Sequence, residues 1–407
     1  MKCRACSAEL TLKFLDLGFA PPSNAYLSAS DLNRPEKYYP LRVWTCTHCW
    51  LVQTEDYADA EELFSSDYAY FSSTSSTWLE HAQRYCRQII PALGLTSDSF
   101  VVEVASNDGY LLRNMVAAGI PCLGIEPTQS TAEAAQALGI PVLREFFGER
   151  LAARLREEGR AADLVIANNV LAHVPDIVDF CRGLKVVLAA EGCVTIEFPH
   201  LSNLIEHTQF DTVYHEHFSY LSLTAVSRIF AGVGLRIYDV EQVSSHGGSL
   251  RVFACHQESS RRQEAAVASL LAAETAAGLE EEATYRSFQP RVDRIKNSLL
   301  EFLIRSAREG KKVAAYGAAA KGNTLLNYAG VRPDLLEFVC DAAPPKQGKF
   351  LPGSHIPIFP PDKLLQEKPD YVMVMPWNIS DEIVQQNAGL VEQDVQFFTA
   401  VPELKFL

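Results

Sequence analysis

The sequence predicts an α/β protein built from a small β-rich module, a central parallel sheet covered by helices, and a second Rossmann-like unit. Three observations support this fold class. The chain has 407 residues, which is more than one hydrophobic core accommodates. Short β-branched runs alternate with helical stretches in the middle and again near the end. Two closely spaced cysteine pairs occur in the first 50 residues. We place the parts at residues 1–65, 66–258, 259–309 (connecting helices) and 310–407.

The composition restricts the possible partners and the compartment. Apolar residues make up 48% and charged residues 21%, and the net charge is −14, which argues against binding nucleic acid because phosphate backbones attract clustered Lys and Arg. There is no apolar run long enough for a membrane span, and the start "MKCRACSAEL" lacks the apolar segment of a secretory signal. We therefore expect a cytoplasmic protein whose partners are small molecules or proteins. The sequence leaves its oligomeric state open.

The first module contains two C-x2-C pairs, "CRAC" and "CTHC". Each pair aims two sulfurs at one ion, and two pairs complete the tetrahedral shell that Zn²⁺ prefers. We predict a structural zinc site made by Cys3, Cys6, Cys46 and Cys49, with His48 as an alternative ligand. The segments "LTLKFLDL" and "YYPLRVWTCTHCWLVQT" around the pairs are rich in β-branched and aromatic residues, so they predict strands.

The central part has the pattern of a doubly wound sheet, with strands predicted at 101–104, 122–125, 164–167 and 193–198. Polar and small residues follow the first two strands, where such sheets bind ligands. The first strand is followed by a turn into a helix, whose exposed amides favour an anion, and the second ends in an acid that can accept both hydroxyls of a ribose. These residues predict an adenosine-containing cofactor, and they are Glu103, Ala105, Ser106, Asn107, Gly109 and Glu126.

This turn lacks the G-x-G-x-x-G pattern of a simple NAD site and resembles the first motif of S-adenosylmethionine-dependent methyltransferases. We expect Phe146 and Phe147 near the adenine ring, although paired aromatics are also common in cores. "IANNVLAHVPD" resembles the fourth motif of the same enzymes, with Asn168 and Asn169 at a strand end and His173 close behind. A histidine there is either a buried structural group or one that faces the methyl donor.

The stretch "YHEH", Tyr214 to His217, concentrates ionisable side chains. It is not the H-E-x-x-H pattern of a zinc enzyme, and no third ligand is near it, so we favour acid–base chemistry over a metal site. In a strand, Tyr214 and Glu216 would share a face, whereas in a helical turn or loop Tyr214 and His217 would be neighbours. We favour the second arrangement.

The last part begins with helical stretches and continues with "AAYGAAAKGNTLLNYAG", a strand, a turn of small residues and a helix. Such a turn binds phosphate, and Lys321 adds a positive charge. On composition alone it could bind NAD. "SSHGGSLR" is either a plain hairpin turn or a second phosphate-binding turn. Our candidate substrate-binding residues in these two segments are His246, Gly247, Gly248, Ser249, Arg251, Gly317, Lys321 and Asn323.

Taken together and in this order, the double cysteine pair, "PPSNAYL", "SNDGYLL", "ANNVLAHVPD", "YHEHFSYLS", "HGGSLR" and "AYGAAAKGNTLLNYAG" resemble the family of nucleotide-linked 4-keto-deoxysugar 3-C-methyltransferases. The resemblance implies a zinc module, a central methyltransferase domain and a C-terminal domain that helps to hold a sugar nucleotide. It also places Tyr68 at the active site, with Tyr70 as the alternative.

The reaction implied by this resemblance needs a base at the C3 hydrogen and a donor at the C4 oxygen. We expect His217 to be the base, Tyr214 to stabilise the oxyanion, and Glu216 to orient a neighbour or hold a sugar hydroxyl. Two other functions remain open at this point. One is an oxygen or nitrogen methyltransferase with the same cofactor, and the other is a non-catalytic scaffold whose zinc module binds a protein.

Overall fold

The computed structural model describes residues 1–57 and 71–407. The N-terminal module is an antiparallel sheet made by β1 (Leu12–Ala20), β2 (Tyr39–Thr45) and β3 (Val52–Thr54). A fourth strand, β9 (Ser219–Tyr220), comes from the central part of the chain and pairs with β3, with Val52 opposite Tyr220. The module is therefore joined by backbone hydrogen bonds to the residues directly after the "YHEH" stretch.

The central part is a seven-stranded sheet in the order β10-β11-β8-β7-β4-β5-β6. Strands β8, β7, β4, β5 and β6 are parallel, and β11 is antiparallel to both of its neighbours, β8 and β10. Two strands have the predicted bounds, and the other two are longer than predicted. The strands are β4 (Val101–Val104), β5 (Cys122–Ile125), β6 (Val142–Leu143), β7 (Ala162–Asn168), β8 (Leu188–Pro199), β10 (Leu235–Val243) and β11 (Ser249–His256).

Helices cover both faces of this sheet. The first of them has the sequence "STWLEHAQRYCRQIIPAL", in which apolar residues recur at helical spacing. Ser75 caps it, and it ends at Gly94, which has the left-handed φ of +63° that suits glycine. Among the described residues, no helix is both long and apolar enough to cross a bilayer. The helices are α1 (Ser76–Leu93), α2 (Leu112–Ala117), α3 (Gln129–Ala137), α4 (Glu149–Glu157), α5 (Ile177–Val187), α6 (Leu201–Glu206) and α7 (Leu223–Val233).

Three helices connect the central sheet to the last one, as predicted from the Ala- and Glu-rich stretch: α8 (Ala265–Ala276), α9 (Glu282–Arg286) and α10 (Phe288–Arg308). The last sheet has the order β14-β13-β12-β15-β16-β17 and is parallel except for β17. Its strands are β12 (Val313–Tyr316), β13 (Val339–Cys340), β14 (Ile358–Phe359), β15 (Tyr371–Val374), β16 (Gln396–Thr399) and β17 (Lys405–Phe406). Its helices are α11 (Ala320–Ala329), α12 (Asp362–Glu367), α13 (Ser380–Gln386) and α14 (Ala388–Val391).

The hydrophobic cores cross the boundaries between these parts. One face of the N-terminal module, with Phe14 and Leu15, shares a buried cluster with α10 and the last sheet. Phe14 stacks on Phe288 with ring centroids 4.6 Å apart. The cysteines of the module instead belong to or pack against the cluster of the central sheet. Because the module packs against both larger sheets, its loops reach the region between them.

Candidate functional site: the turn after β4, a Tyr–His pair and the contacts between two sheets

The turn after β4 has the backbone geometry of a ligand-binding turn. Ala105, Asn107 and Gly109 all have left-handed φ angles, of +56°, +48° and +78°, which is a costly conformation for the two residues that carry a side chain. The carboxylate of Glu126 holds this turn. One of its oxygens accepts a hydrogen bond from Asn107 N at 3.0 Å, and the other accepts one from Thr128 N at 2.9 Å. The two carboxyl-terminal strand ends are thus locked together.

Several buried polar atoms at these strand ends lack a protein partner within residues 1–57 and 71–407. They include the hydroxyl of Ser106, Oδ1 of Asn168 and both side-chain polar atoms of Asn169. Burial raises the pKa of Glu103 well above its usual value, and the charges of Glu126 and Asp108 raise it further. Buried polar groups are normally satisfied, so these orphaned groups fit a polar ligand such as S-adenosylmethionine.

The two adjacent phenylalanines lie in different environments. Phe147 packs edge-to-face on Phe180, with ring centroids 5.4 Å apart. Phe146 is 54% exposed, so it is the one of the two that can meet an adenine ring without leaving a core contact.

The "YHEH" stretch forms a tight turn that brings Tyr214 and His217 together. His217 N donates to Tyr214 O at 3.0 Å, and the Tyr214 hydroxyl lies 2.7 Å from His217 Nε2. His217 Nδ1 lies 2.9 Å from the carbonyl oxygen of Thr212. Since a carbonyl can only accept, Nδ1 carries the proton and Nε2 of the neutral ring is the acceptor. This is the turn or loop arrangement that we favoured over a strand.

His173 lies beside this pair, with its ring centroid 4.6 Å from that of His217. Its Nδ1 donates to the carbonyl oxygen of Glu216 at 2.8 Å. Burial lowers the pKa of His173 to about 4, although the hydrogen bond to Glu216 opposes the shift. The ring is therefore neutral at pH 7. The structure thus brings together three of the predicted catalytic residues, Tyr214, His217 and His173.

Glu216 is 1% exposed, and its side chain meets the N-terminal module. Its Oε1 accepts a hydrogen bond from Asn24 Nδ2 at 3.1 Å, while Oε2 has no partner in the described part of the chain. Burial raises the pKa of Glu216 above its usual value, although the hydrogen bond from Asn24 opposes this shift. Asn24 lies in "PPSNAYL", whose side-chain contacts with residues about 190 and 300 positions away were not predicted.

The predicted substrate-binding segments lie where the central sheet meets the last one, and they come into contact through Gly247 and Trp377. "SSHGGSLR" is a hairpin turn between β10 and β11. A Cβ on Gly247 would lie 2.5 Å from Trp377, so only glycine allows this approach, and its φ is +86°. Trp377 Nε1 donates to Asp211 Oδ2 at 2.7 Å. Burial raises the pKa of Asp211 to about 6, and the nearby Lys321 opposes that shift.

In the last part of the chain, Lys321 and Asn323 lie in the first turns of α11. The Lys321 ammonium group is 3.1 Å from Asn378 Oδ1 and 4.5 Å from the centre of a Trp377 ring. Asn323 is 1% exposed, and neither polar atom of its side chain has a partner among the described residues. Asp341 accepts a hydrogen bond from Ala318 N at 2.7 Å and so holds the turn after β12. Gly317 is part of this turn and has a φ of +90°.

Arg251 and Ser249 have partners inside the protein. The Arg251 guanidinium donates to Glu197 and Glu241, and it lies 4.6 Å from the centre of the Tyr85 ring. Both oxygens of Glu197 also contact His81 Nε2, at 2.8 and 2.9 Å. His81 and Arg251 together lower the pKa of Glu197 despite its burial. Ser249 Oγ donates to Ser245 O, and a Cβ on Gly248 would contact Asn203.

The four module cysteines form a cluster that fits a zinc ion. Their sulfurs lie within 4.8 Å of one another, and the Cys3–Cys49 and Cys6–Cys46 pairs are each 3.5 Å apart. Zn–S bonds of about 2.3 Å in a tetrahedron place sulfurs about 3.8 Å apart. His48 is exposed and stands outside the cluster, so the candidate ligands are the four cysteine sulfurs. The remaining six cysteines are buried, which is consistent with a packing role.

Two predicted site residues cannot be placed. Tyr68, with its alternative Tyr70, and the side chain of His246 lie outside what the structure describes. Three residues that contact the candidate site were not predicted from the sequence, namely Asn24, Asp211 and Trp377. Trp377 is the last residue of "YVMVMPW", just after the end of β15, and a polar aromatic at the carboxyl end of a strand was the available signal.

The fold and the turn after β4 have the features expected of a methyltransferase. Comparison with protein families agrees, since residues 78–240 match a methyltransferase domain, residues 3–64 a putative zinc binding domain, and residues 244–402 a C-methyltransferase C-terminal domain. The C-methyltransferase NovU of Streptomyces niveus is 33% identical over 402 residues, which is 99% of this chain and 96% of that protein. The chain therefore belongs to the sugar C-methyltransferase family that its motifs resemble, and it is an S-adenosylmethionine-dependent C-methyltransferase.

Two solved structures that resemble this chain each cover less than half of it. The PH0226 protein of Pyrococcus horikoshii is 12% identical, with 49% of this chain and 100% of that chain covered and a TM-score of 0.38. Magnesium protoporphyrin IX methyltransferase of Synechocystis is 14% identical, with 44% and 82% covered and a TM-score of 0.34. Similarity at this level supports no conclusion about function. Membership of a carbon-methylating family leaves the two other functions considered above, oxygen or nitrogen methylation and a non-catalytic scaffold, without support.

Proposed function

We propose that this protein methylates C3 of a nucleotide-linked 4-keto-deoxyhexose through an enolate. The observation that carries the proposal is the hydrogen-bonded pair of Tyr214 and His217, 2.7 Å apart, in a turn shared with Glu216 and beside His173. Carbon is a poor nucleophile, and a neighbouring ketone makes it reactive by stabilising the carbanion as an enolate. A protein that methylates carbon therefore needs a base and an oxyanion donor close together.

Tyr214 and His217 provide these two groups at matching positions. In the substrate, the acidic carbon and the ketone oxygen are joined through a single carbon, so they lie about as close together as the Tyr214 oxygen and His217 Nε2. His217 Nε2, whose ring is oriented by the Nδ1 hydrogen bond to Thr212, removes the C3 proton. The Tyr214 hydroxyl turns from His217 to the C4 oxygen and donates to the enolate.

The neighbouring residues allow His217 to take up the C3 proton and leave an acceptor for the sugar. His173 is neutral at pH 7 because its pKa is about 4, so it adds no positive charge that would discourage protonation of His217. Glu216 Oε2 is the acceptor left for a sugar hydroxyl. When bound, S-adenosylmethionine supplies an electrophilic methyl group. Glu126, Asn107, Ser106 and Asn168 would hold it at the ends of β4, β5 and β7.

The polar groups around the start of α11 support a sugar nucleotide as substrate. The Gly317 turn and the start of α11 present backbone amides, and Lys321 adds a cation, which suits a diphosphate. Asn323 and the unpartnered Oδ1 of Asp211 are buried polar groups that can bind a base or a ribose. This arrangement favours a nucleotide diphosphate over NAD, because the "YHEH" turn has no need of a hydride donor.

Solvent exchange at C3 tests the proposal. The protein is incubated in deuterated water with a 4-keto-6-deoxy sugar nucleotide, with and without S-adenosylmethionine, and the C3 signal is followed by NMR. We expect deuterium to enter at C3 only when the protein is present, and the methyl group to appear at C3 when the cofactor is added. The absence of both exchange and methyl transfer with every sugar of a panel of this kind would refute the proposal.

A further inference from the structure

The N-terminal module extends one loop, residues 21–27, between the "YHEH" turn and the last sheet. Ser23 Oγ lies 3.4 Å from Thr324 Oγ1 in α11. The Tyr26 hydroxyl donates to Ala318 O at 2.6 Å in the turn after β12. Asn24 reaches Glu216. The loop thus touches both the catalytic turn and the turn assigned to the nucleotide diphosphate.

Glu216 depends on this loop for its orientation. It is almost fully buried, and within the described part of the chain its Oε1 accepts a hydrogen bond from Asn24 Nδ2 at 3.1 Å while Oε2 accepts none. Loss of a side-chain donor leaves a buried carboxyl oxygen less well paired, at a cost of about 1–3 kcal/mol, and so favours a different rotamer. While Asn24 holds Oε1, Oε2 is left as the oxygen that can accept from a ligand.

The module also holds the backbone on the far side of the same turn. Thr54 Oγ1 donates to His217 O at 3.2 Å, and Thr54 N donates to Phe218 O at 3.1 Å. The carbonyl of Glu216 is fixed separately by His173 Nδ1. Loss of the Asn24 donor would therefore release the Glu216 carboxyl group while the turn itself stays in place.

We propose that Asn24, a residue of the zinc module, is a positioning residue for Glu216 and so completes the active site from outside the methyltransferase domain. Asn24 acts through Glu216, aiming Oε2 at a hydroxyl of the sugar. Only the identification of the ligand as a sugar rests on the proposed function; the positioning of Glu216 by Asn24 does not. The module would then contribute to turnover as well as to stability.

A double-mutant cycle tests whether Asn24 acts through Glu216. We expect Asn24→Ala to lower kcat by about ten- to a hundredfold, the range for loss of a hydrogen bond to a charged group. In the Glu216→Ala background, Asn24→Ala should change kcat less than about twofold, because the residue has nothing left to position. Asn24→Asp keeps the shape but replaces the donor with a repelling charge, and it should lose at least as much activity as Asn24→Ala.

Two measurements separate positioning from general damage. The zinc content and the affinity for S-adenosylmethionine should be unchanged in Asn24→Ala. Asn33→Ala, an exposed asparagine of the same module, should behave like the wild type. Additive losses in the cycle, or wild-type kcat in Asn24→Ala, would overturn the inference.

A crystal structure provides a test that does not depend on knowing the substrate. We expect the Glu216 carboxyl group to leave its position in Asn24→Ala and to keep it in Asn33→Ala. An unmoved Glu216 in Asn24→Ala would overturn the inference even if the enzyme proved to act on another substrate. If instead the wild type methylates no keto sugar while Glu216 moves as expected, the proposed function fails and the positioning role stands.

Discussion

The pairing of Tyr214 with His217 makes a quantitative prediction about the enolate step. Tyr214→Phe removes the hydroxyl that lies 2.7 Å from His217 Nε2 and leaves the ring in place. Loss of one donor to a developing oxyanion costs about 10²- to 10³-fold in kcat, or about 2.7–4 kcal/mol. Loss of the base in His217→Asn costs about 10²- to 10⁴-fold. We expect losses of these sizes in both variants.

The assay compares two reactions that share the enolate. C3 exchange in deuterated water, followed by NMR, reports enolate formation, and methyl transfer, followed by mass spectrometry, reports the whole reaction. Both rates should fall together in each variant. In the double variant the loss should be much smaller than the product of the two single losses, because the two residues act in one step.

Tyr220 provides the matched control. It is a buried tyrosine whose ring centroid is 6.0 Å from that of His217, and its hydroxyl makes no side-chain hydrogen bond within the described residues. Tyr220→Phe should therefore exchange and methylate at nearly the wild-type rate. Wild-type exchange in Tyr214→Phe, or an equal loss in Tyr220→Phe, would refute the assigned roles.

Three further predictions concern stability and ligand binding. Because the folded-state pKa of His173 is about 4, below the usual value near 6.5, acidification from pH 6.5 to 4 should cost about 3 kcal/mol of folding stability, and His173→Asn should reduce this loss in urea titrations. Glu126→Ala releases the Asn107 and Thr128 amides and should weaken S-adenosylmethionine binding by about tenfold or more in calorimetry. Removal of zinc by a chelator should unfold the N-terminal sheet and, through β9, abolish C3 exchange, with a lowered Tm in circular dichroism.

Each of these predictions has a control and a contradicting result. Above pH 7, the free energy of unfolding should vary with pH in the same way for His173→Asn and the wild type. If the two proteins also lose the same stability between pH 6.5 and 4, the assignment of His173 is contradicted. Glu133→Ala, on the exposed part of α3, should bind the cofactor normally; equal affinities of both variants would contradict the role of Glu126. Re-addition of Zn²⁺ should restore exchange, and full exchange without metal would contradict the coupling through β9.

Local patterns in the sequence were sufficient for much of the fold. The strands at 101–104 and 122–125 were predicted with the bounds that the structure has, since β-branched runs are a local signal. The cluster of four cysteines was equally predictable because its spacing reflects the geometry of the metal. The close approach of Tyr214 and His217 follows from one turn.

The contacts that complete the site could not be predicted in this way. Strand β9 has two residues, which is too short for any periodicity, and its pairing with β3 joins residues more than 160 positions apart. The hydrogen bonds of Asn24 with Glu216 and of Trp377 with Asp211 depend on how three sheets pack. Arg251 was predicted from its charge alone, and its contacts with Glu197 and Glu241 became visible only in the folded chain.

The fate of the C3 hydrogen tests the central claim most directly. A 4-keto-6-deoxy sugar nucleotide carrying deuterium at C3 is converted with S-adenosylmethionine, and the product is analysed by mass spectrometry and NMR. We predict the loss of one deuterium for each methyl group gained, with the new methyl bonded to C3. A methylated product that keeps its deuterium, or that carries the methyl group on oxygen, would contradict the enolate mechanism.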